Sequence, residues 1–188
     1  MNWFVFALAA WVAFGLELAL LPIFDAGSGG VHPSMVVPLL VFIAINAPRK
    51  PTLWSAIILG VVMDLLSPIP GADGGVITIV GPHALGYLLA VHFVLAVRGM
   101  LIARNPLTIV VMSILAALVA QVVVIAILTV RDIGASPLMW DAPDELRQGG
   151  FSALYTGVSA LLLSFVFFAL APVFGFHSAV PTRFARHI

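Results

Sequence analysis

AIILGVVMDLLSPIPGADGGVITIVGPHALGYLLAVHFVLAVRGMLIAR, residues 56–104, is the stretch that decides how the rest of the chain is read. It consists of two apolar runs of helical length joined by a turn rich in Gly and Pro. The first run carries a carboxylate, Asp64; the second opens with Gly81, Pro82 and His83 and leaves through Arg98 and Arg104. At about 100° per residue, Gly60, Asp64 and Ser67 share one helical face. His83, Gly86, Tyr87 and Ala90 share another, with His92 about 180° away from His83. Stripes of small and polar residues are the usual contact surfaces between helices in a membrane.

The remaining composition agrees with a membrane setting. Of the 188 residues, 62% are hydrophobic and 9% charged, and the mean hydropathy is +1.19, whereas soluble domains carry about 25% charged residues. The length suits roughly six helices of about 20 residues, each able to cross about 30 Å of hydrocarbon, in a single transmembrane domain over 1–188. The formal net charge is zero, so the basic footprint of a nucleic-acid binder is missing. Cysteine is absent, which excludes disulfides and thiolate metal sites. The opening MNWFVFALAAWVAFGLELALL has no Lys or Arg ahead of its apolar run; it lacks the basic region of a cleaved signal peptide and predicts a retained first helix.

Gly, Pro and charged breaks divide the chain into apolar segments at about 3–24, 33–47, 52–67, 76–97, 106–130 and 151–175. The second and third are short, about 15 residues each, for a bilayer of ordinary thickness. Arg49, Lys50, Arg98, Arg104, Arg183 and Arg186 fall on one side of a six-helix path. The opposite connections hold Asp25, Asp73, Asp132, Asp141, Asp144 and Glu145, with only Arg131 and Arg147 as basic residues. Six basic residues against two predict that both termini are cytoplasmic. The last opposite connection, 131–150, reads as a solvated loop with an interfacial Leu138-Met139-Trp140 anchor or as a docking loop.

Ionisable groups inside the apolar runs raise a functional question, because each costs about 2.5 kcal/mol or more to insert. Counted at about 1.5 Å per residue, Asp64 lies roughly 18 Å and Glu17 roughly 21 Å from the cytoplasmic boundary. Both carboxylates therefore belong to the outer half. Two readings of Asp64 stand: a carboxylate that bonds across a helix interface or caps a neighbouring helix N-terminus, or part of a proton or ligand site made with Glu17 and His83. The second requires the first, third and fourth helices to be neighbours. His92 and Gln121 read as neutral hydrogen-bonding residues. No H-E-x-x-H helix, G-x-S-x-G elbow or P-loop is present, so no enzyme is expected, and no metal or cofactor.

The run Gly60-Val-Val-Met-Asp64-Leu-Leu-Ser67, the Pro/Gly turn, Gly81-Pro-His83-Ala-Leu-Gly86-Tyr87 and the basic exit at Arg98 and Arg104 together resemble the rod shape-determining MreD family. The matching stretch is about 56–106. Glu17 has no counterpart in the family motif, and the turn 69–76 and the connection 131–150 are longer than the family's. The resemblance implies a non-catalytic scaffold of the cell-wall elongation machinery in the bacterial cytoplasmic membrane. It also implies binding to an MreC-like protein and indirect work with MreB, RodA and a class B penicillin-binding transpeptidase. Gly60, Asp64, Ser67, Gly81, His83 and Gly86 would then serve as partner-binding or structural anchors. The family's fold is thought to be shared with the substrate-binding S components of energy-coupling-factor transporters, so the fold expected is an all-α, S-component-like bundle. The alternative function is a substrate-binding transporter subunit with an outer pocket lined by Glu17, Asp64 and His83.

Overall fold

The computed structural model describes residues 1–28, 31–70, 75–101, 105–134 and 141–176. Among these, six α-helices follow in the order α1 (Trp3–Ser28), α2 (Val36–Asn46), α3 (Arg49–Leu66), α4 (Pro82–Val97), α5 (Pro106–Gly134) and α6 (Ala142–Leu170). Two short strands, β1 (Ile69–Pro70) and β2 (Val76–Ile77), pair antiparallel between α3 and α4.

The bundle is built around its shortest helix. Val36 to Ile45 of α2 are all buried, and α2 packs against each of the other five helices. A helix that is apolar all round has to be enclosed by other apolar surface. Phe42 shows how this is done at its C-terminal half: it stacks on Phe167 of α6, with ring centroids 5.1 Å apart, and meets Phe174 and Phe176 edge-on at 5.5 Å. The outward faces are equally apolar, with Phe4, Trp11, Leu162 and Phe165 exposed, an arrangement that suits hydrocarbon rather than water.

Each end of α2 is met by a charge of the sign its dipole favours. At the N-terminus, Glu17 Oε2 accepts from the Met35 and Val36 amides at 3.0 Å each and from the Ser34 hydroxyl at 3.2 Å. At the C-terminus, Arg98 donates from one guanidinium nitrogen to the carbonyls of Ala47 at 2.7 Å and Ala44 at 3.4 Å. Arg98→Met keeps the apolar stem but strands those carbonyls. It is expected to lower stability by about 1–2 kcal/mol, measured as an earlier thermal aggregation midpoint in detergent.

The six expected segments all appear as helices. Four helices, α1, α4 with the turn that follows it, α5 and α6, are long and apolar enough to cross a membrane. The eleven residues of α2 at about 1.5 Å each reach about 16 Å, roughly half of a hydrocarbon core. The eighteen residues of α3 include Arg49, Lys50 and Asp64.

Among the boundaries that differ from expectation, three helix starts bear on the site, together with one added element. Helix α2 starts at Val36 rather than 33, because residues 32–34 are held by side chains of α6 (below). Helix α4 begins at Pro82 rather than 76: Ile77 pairs with Ile69 and Val76 with Pro70, and Gly81, at φ 134°, breaks the helical path just before Pro82. This strand pair makes the chain other than wholly helical. Helix α6 begins at Ala142 rather than 151, so residues 142–150 are its first turns and not loop. Pro143, Asp144 and Glu145 in that first turn are what a helix start favours. Asp73, Arg104, Leu138, Met139, Trp140, Arg183, Arg186 and the side chain of Asp25 lie outside the described residues.

Candidate functional site at the start of α4

Asp64 stands on the last turn of α3 and is 1% exposed. Its Oδ2 accepts from the Gly81 amide at 2.8 Å and the Ala84 amide at 3.3 Å, and its Oδ1 accepts from the His83 amide at 2.8 Å. The His83 ring meets the same Oδ1 through Nδ1 at 2.9 Å. Against an ionised carboxylate, Nδ1 must carry the ring proton. Asp64 therefore binds amides that a helix N-terminus leaves without intrahelical acceptors, and α4 has no side-chain cap of its own. Of the two readings of Asp64, the cap for a neighbouring helix is the one observed.

Gly60 makes this reach possible. A methyl group added there would lie 2.7 Å from the Ala84 amide nitrogen and 2.8 Å from the His83 carbonyl oxygen, so the backbones of α3 and α4 touch one turn before the cap. Gly86 does the same for the next interface: its added methyl would lie 2.9 Å from the Ala120 carbonyl oxygen of α5. The stripe of Gly86, Tyr87 and Ala90 is buried as its spacing predicts, His83 is partly covered, and His92 is exposed, bonding the Leu88 carbonyl of its own helix at 3.0 Å. Ser67 follows α3 directly.

Glu17 repeats the device one hairpin earlier. A carboxylate in the second half of α1 holds the N-terminus of α2, as Asp64 of α3 holds that of α4. The entry to α2 is also gripped from α6. Thr156 Oγ1 accepts from the Ser34 amide at 2.9 Å, Ser159 donates to the Ser34 carbonyl at 2.9 Å, and Ser152 donates to the His32 carbonyl. Ser152, Thr156 and Ser159 were not singled out from the sequence, although their spacing of four and three residues puts them on one helical face.

Of the expected trio of Glu17, Asp64 and His83, the first and last border one cavity. A cavity of about 260 Å³ opens where α2 and α4 begin, bounded by Glu17, His83, Tyr87, Gln121, Gln148 and Thr156 among others. Asp64 is not part of that wall and is linked to it through its bond to His83. Arg49 and Lys50 are exposed at the start of α3, at the other end of the bundle, beside the Ala47 carbonyl that Arg98 holds.

The composition and helices together define a multi-pass protein of membrane-compatible build. Comparison with models of protein families, with curated proteins and with solved structures returned no match.

Proposed function

We propose that this protein is a non-catalytic membrane scaffold of the bacterial cell-wall elongation machinery, binding an MreC-like partner and contributing to rod cell shape. The observation that supports this most is the use to which Gly60, Asp64, Gly81, His83 and Gly86 are put. Gly60, Asp64, Gly81 and His83 fix α3 onto α4, and Gly86 brings α4 against α5. These contacts hold α3, α4 and α5 in fixed relation, and rigid outer faces lose least entropy when a partner helix docks on them. In this reading the chain lies in the cytoplasmic membrane with both termini cytoplasmic. The gathering of Arg49, Lys50 and Arg98 at one end of the bundle favours that orientation. MreB, RodA and a class B transpeptidase are then reached through the partner. Co-expression with an MreC-type protein from the same cell is expected to give a complex that survives purification. Asp64→Asn is expected to weaken the complex and round the cells. Rod-shaped cells carrying Asp64→Asn, with no complex from the unaltered pair, would sink the proposal.

The cavity supports a second reading, a substrate-binding membrane subunit of a small-molecule transporter. A concave site lined by apolar residues and a few convergent polar groups is the usual form of a ligand pocket. Retention of a molecule through purification is the result this reading expects.

A further inference from the structure

We propose that the cavity at the start of α2 and α4 is a binding site for an organic ammonium group, with Glu17 Oε1 as its acceptor. The proposal rests on the second reading for its pocket and goes on to name the ligand chemistry. Glu17 is 4% exposed and contributes to the cavity wall. Its two oxygens differ in occupation. Oε2 takes all three donors at the entry to α2, while Oε1 is buried and has no hydrogen-bond partner among the described residues. Buried carboxylate oxygens are seldom left in that state, and because Glu17 borders a cavity, a donor can be supplied from the cavity side.

The rest of the wall selects the donor. It holds a second carboxylate, Glu145, the amides of Gln121 and Gln148 and the imidazoles of His32 and His83, and among the described residues no Lys or Arg. His83 is already paired with Asp64, so the two acids of the wall disfavour carboxylates and phosphates and favour a positive group, whose bond to Oε1 gains from charge. A metal ion fits less well, because no set of three His, Asp or Glu side chains among the described residues converges to hold one. The volume lies just below the roughly 300–1,000 Å³ of drug-sized pockets, so the group belongs to a small molecule or is the head of a larger one. The second case has a passage. A slit of about 50 Å³ shares Glu17, His32, Met63 and Ser67 with the cavity wall and is otherwise lined by Phe14, Leu18 and Leu21 of α1 and Leu66 of α3. An acyl chain leaving through it would run along the apolar side of the slit, past Phe14, Leu18, Leu21 and Leu66.

The test uses the full chain in neutral detergent and in nanodiscs, read by native mass spectrometry and thermal shift. Ethanolamine is expected to bind at least about tenfold tighter than ethylene glycol or glycolate, the charge-assisted bond being the difference. If the source is a lipid, phosphatidylethanolamine nanodiscs leave a bound lipid that phosphatidylglycerol nanodiscs do not. Glu17→Gln separates the two oxygens. The amide oxygen must take the Oε2 position to keep the three donors of α2, which turns the nitrogen toward the cavity and replaces the acceptor with a donor. That variant is expected to fold and to lose about tenfold or more of amine or aminolipid binding. Amine binding that survives Glu17→Gln, or that is no tighter than the alcohol's, overturns the ammonium assignment while leaving the pocket reading in place. If the variant does not fold, the selectivity of the unaltered protein decides alone. If neither amine, alcohol, carboxylate nor lipid binds, the assignment and the pocket reading fail together.

Discussion

Asp64→Ala is expected to lower stability by about 3 kcal/mol, roughly one for each of the three backbone amides at the start of α4 that lose their acceptor. The low end of the per-group range applies because the His83 side chain is 22% exposed, so water reaches this end of α4 and replaces part of the lost bonding. Asp64→Asn keeps one acceptor oxygen but sets an NH2 group against amides that are themselves donors, and it should fall between the two. The measurement is the thermal midpoint of purified protein in detergent, together with hydrogen exchange. Exchange should quicken first at Gly81, His83 and Ala84, while the Met35 and Val36 amides keep their protection under Glu17. Equal loss of protection at both helix starts would mean that the two carboxylates do not act separately.

The part of this site that could be read from the sequence is the part made by neighbours in the chain. Asp64 and the amides it binds are 17 to 20 residues apart across one connection, and the helical faces of α3 and α4 followed from spacing alone. Glu17 was visible as an anomalous carboxylate, but its partners at 34–36 required knowing that α1 lies against α2. Arg98 was read from its charge as a marker of orientation. Its bond to Ala47 spans 51 residues, and no local pattern announces it. Helix α2 was read as a short span, and its enclosure by the other five helices was not legible, because an apolar run reads the same whether lipid or protein surrounds it. The early start of α6 is a different case. Asp141-Ala-Pro143-Asp144-Glu145 is a helix-start signal, outweighed by the low hydropathy of the residues around it.

Gly60→Ala is the second substitution with a large expected effect, and its comparison with Gly157→Ala shows why. The methyl group at Gly60 would run into backbone: the Ala84 nitrogen at 2.7 Å and the His83 oxygen at 2.8 Å. Nothing there can rotate away, so α3 and α4 must separate, and the Asp64 cap one turn further on loses its reach. A loss of about 3 kcal/mol or more is expected, at the upper end of what overpacking costs. At Gly157 the methyl would meet Ile114 Cδ1 at 2.7 Å and Cγ1 at 2.9 Å, atoms of a side chain with other rotamers. Gly157→Ala should therefore cost about 1 kcal/mol, and pairing it with Ile114→Val, which removes Cδ1, should recover part of that loss. No truncation at position 84 offers the same relief to Gly60→Ala, since Ala84→Gly leaves the offending backbone atoms in place. Thermal midpoints of the two single and two double variants decide the matter. Rescue of Gly60→Ala by Ala84→Gly would show that α3 and α4 are not in backbone contact, and the capping geometry at Asp64 would have to be abandoned with it.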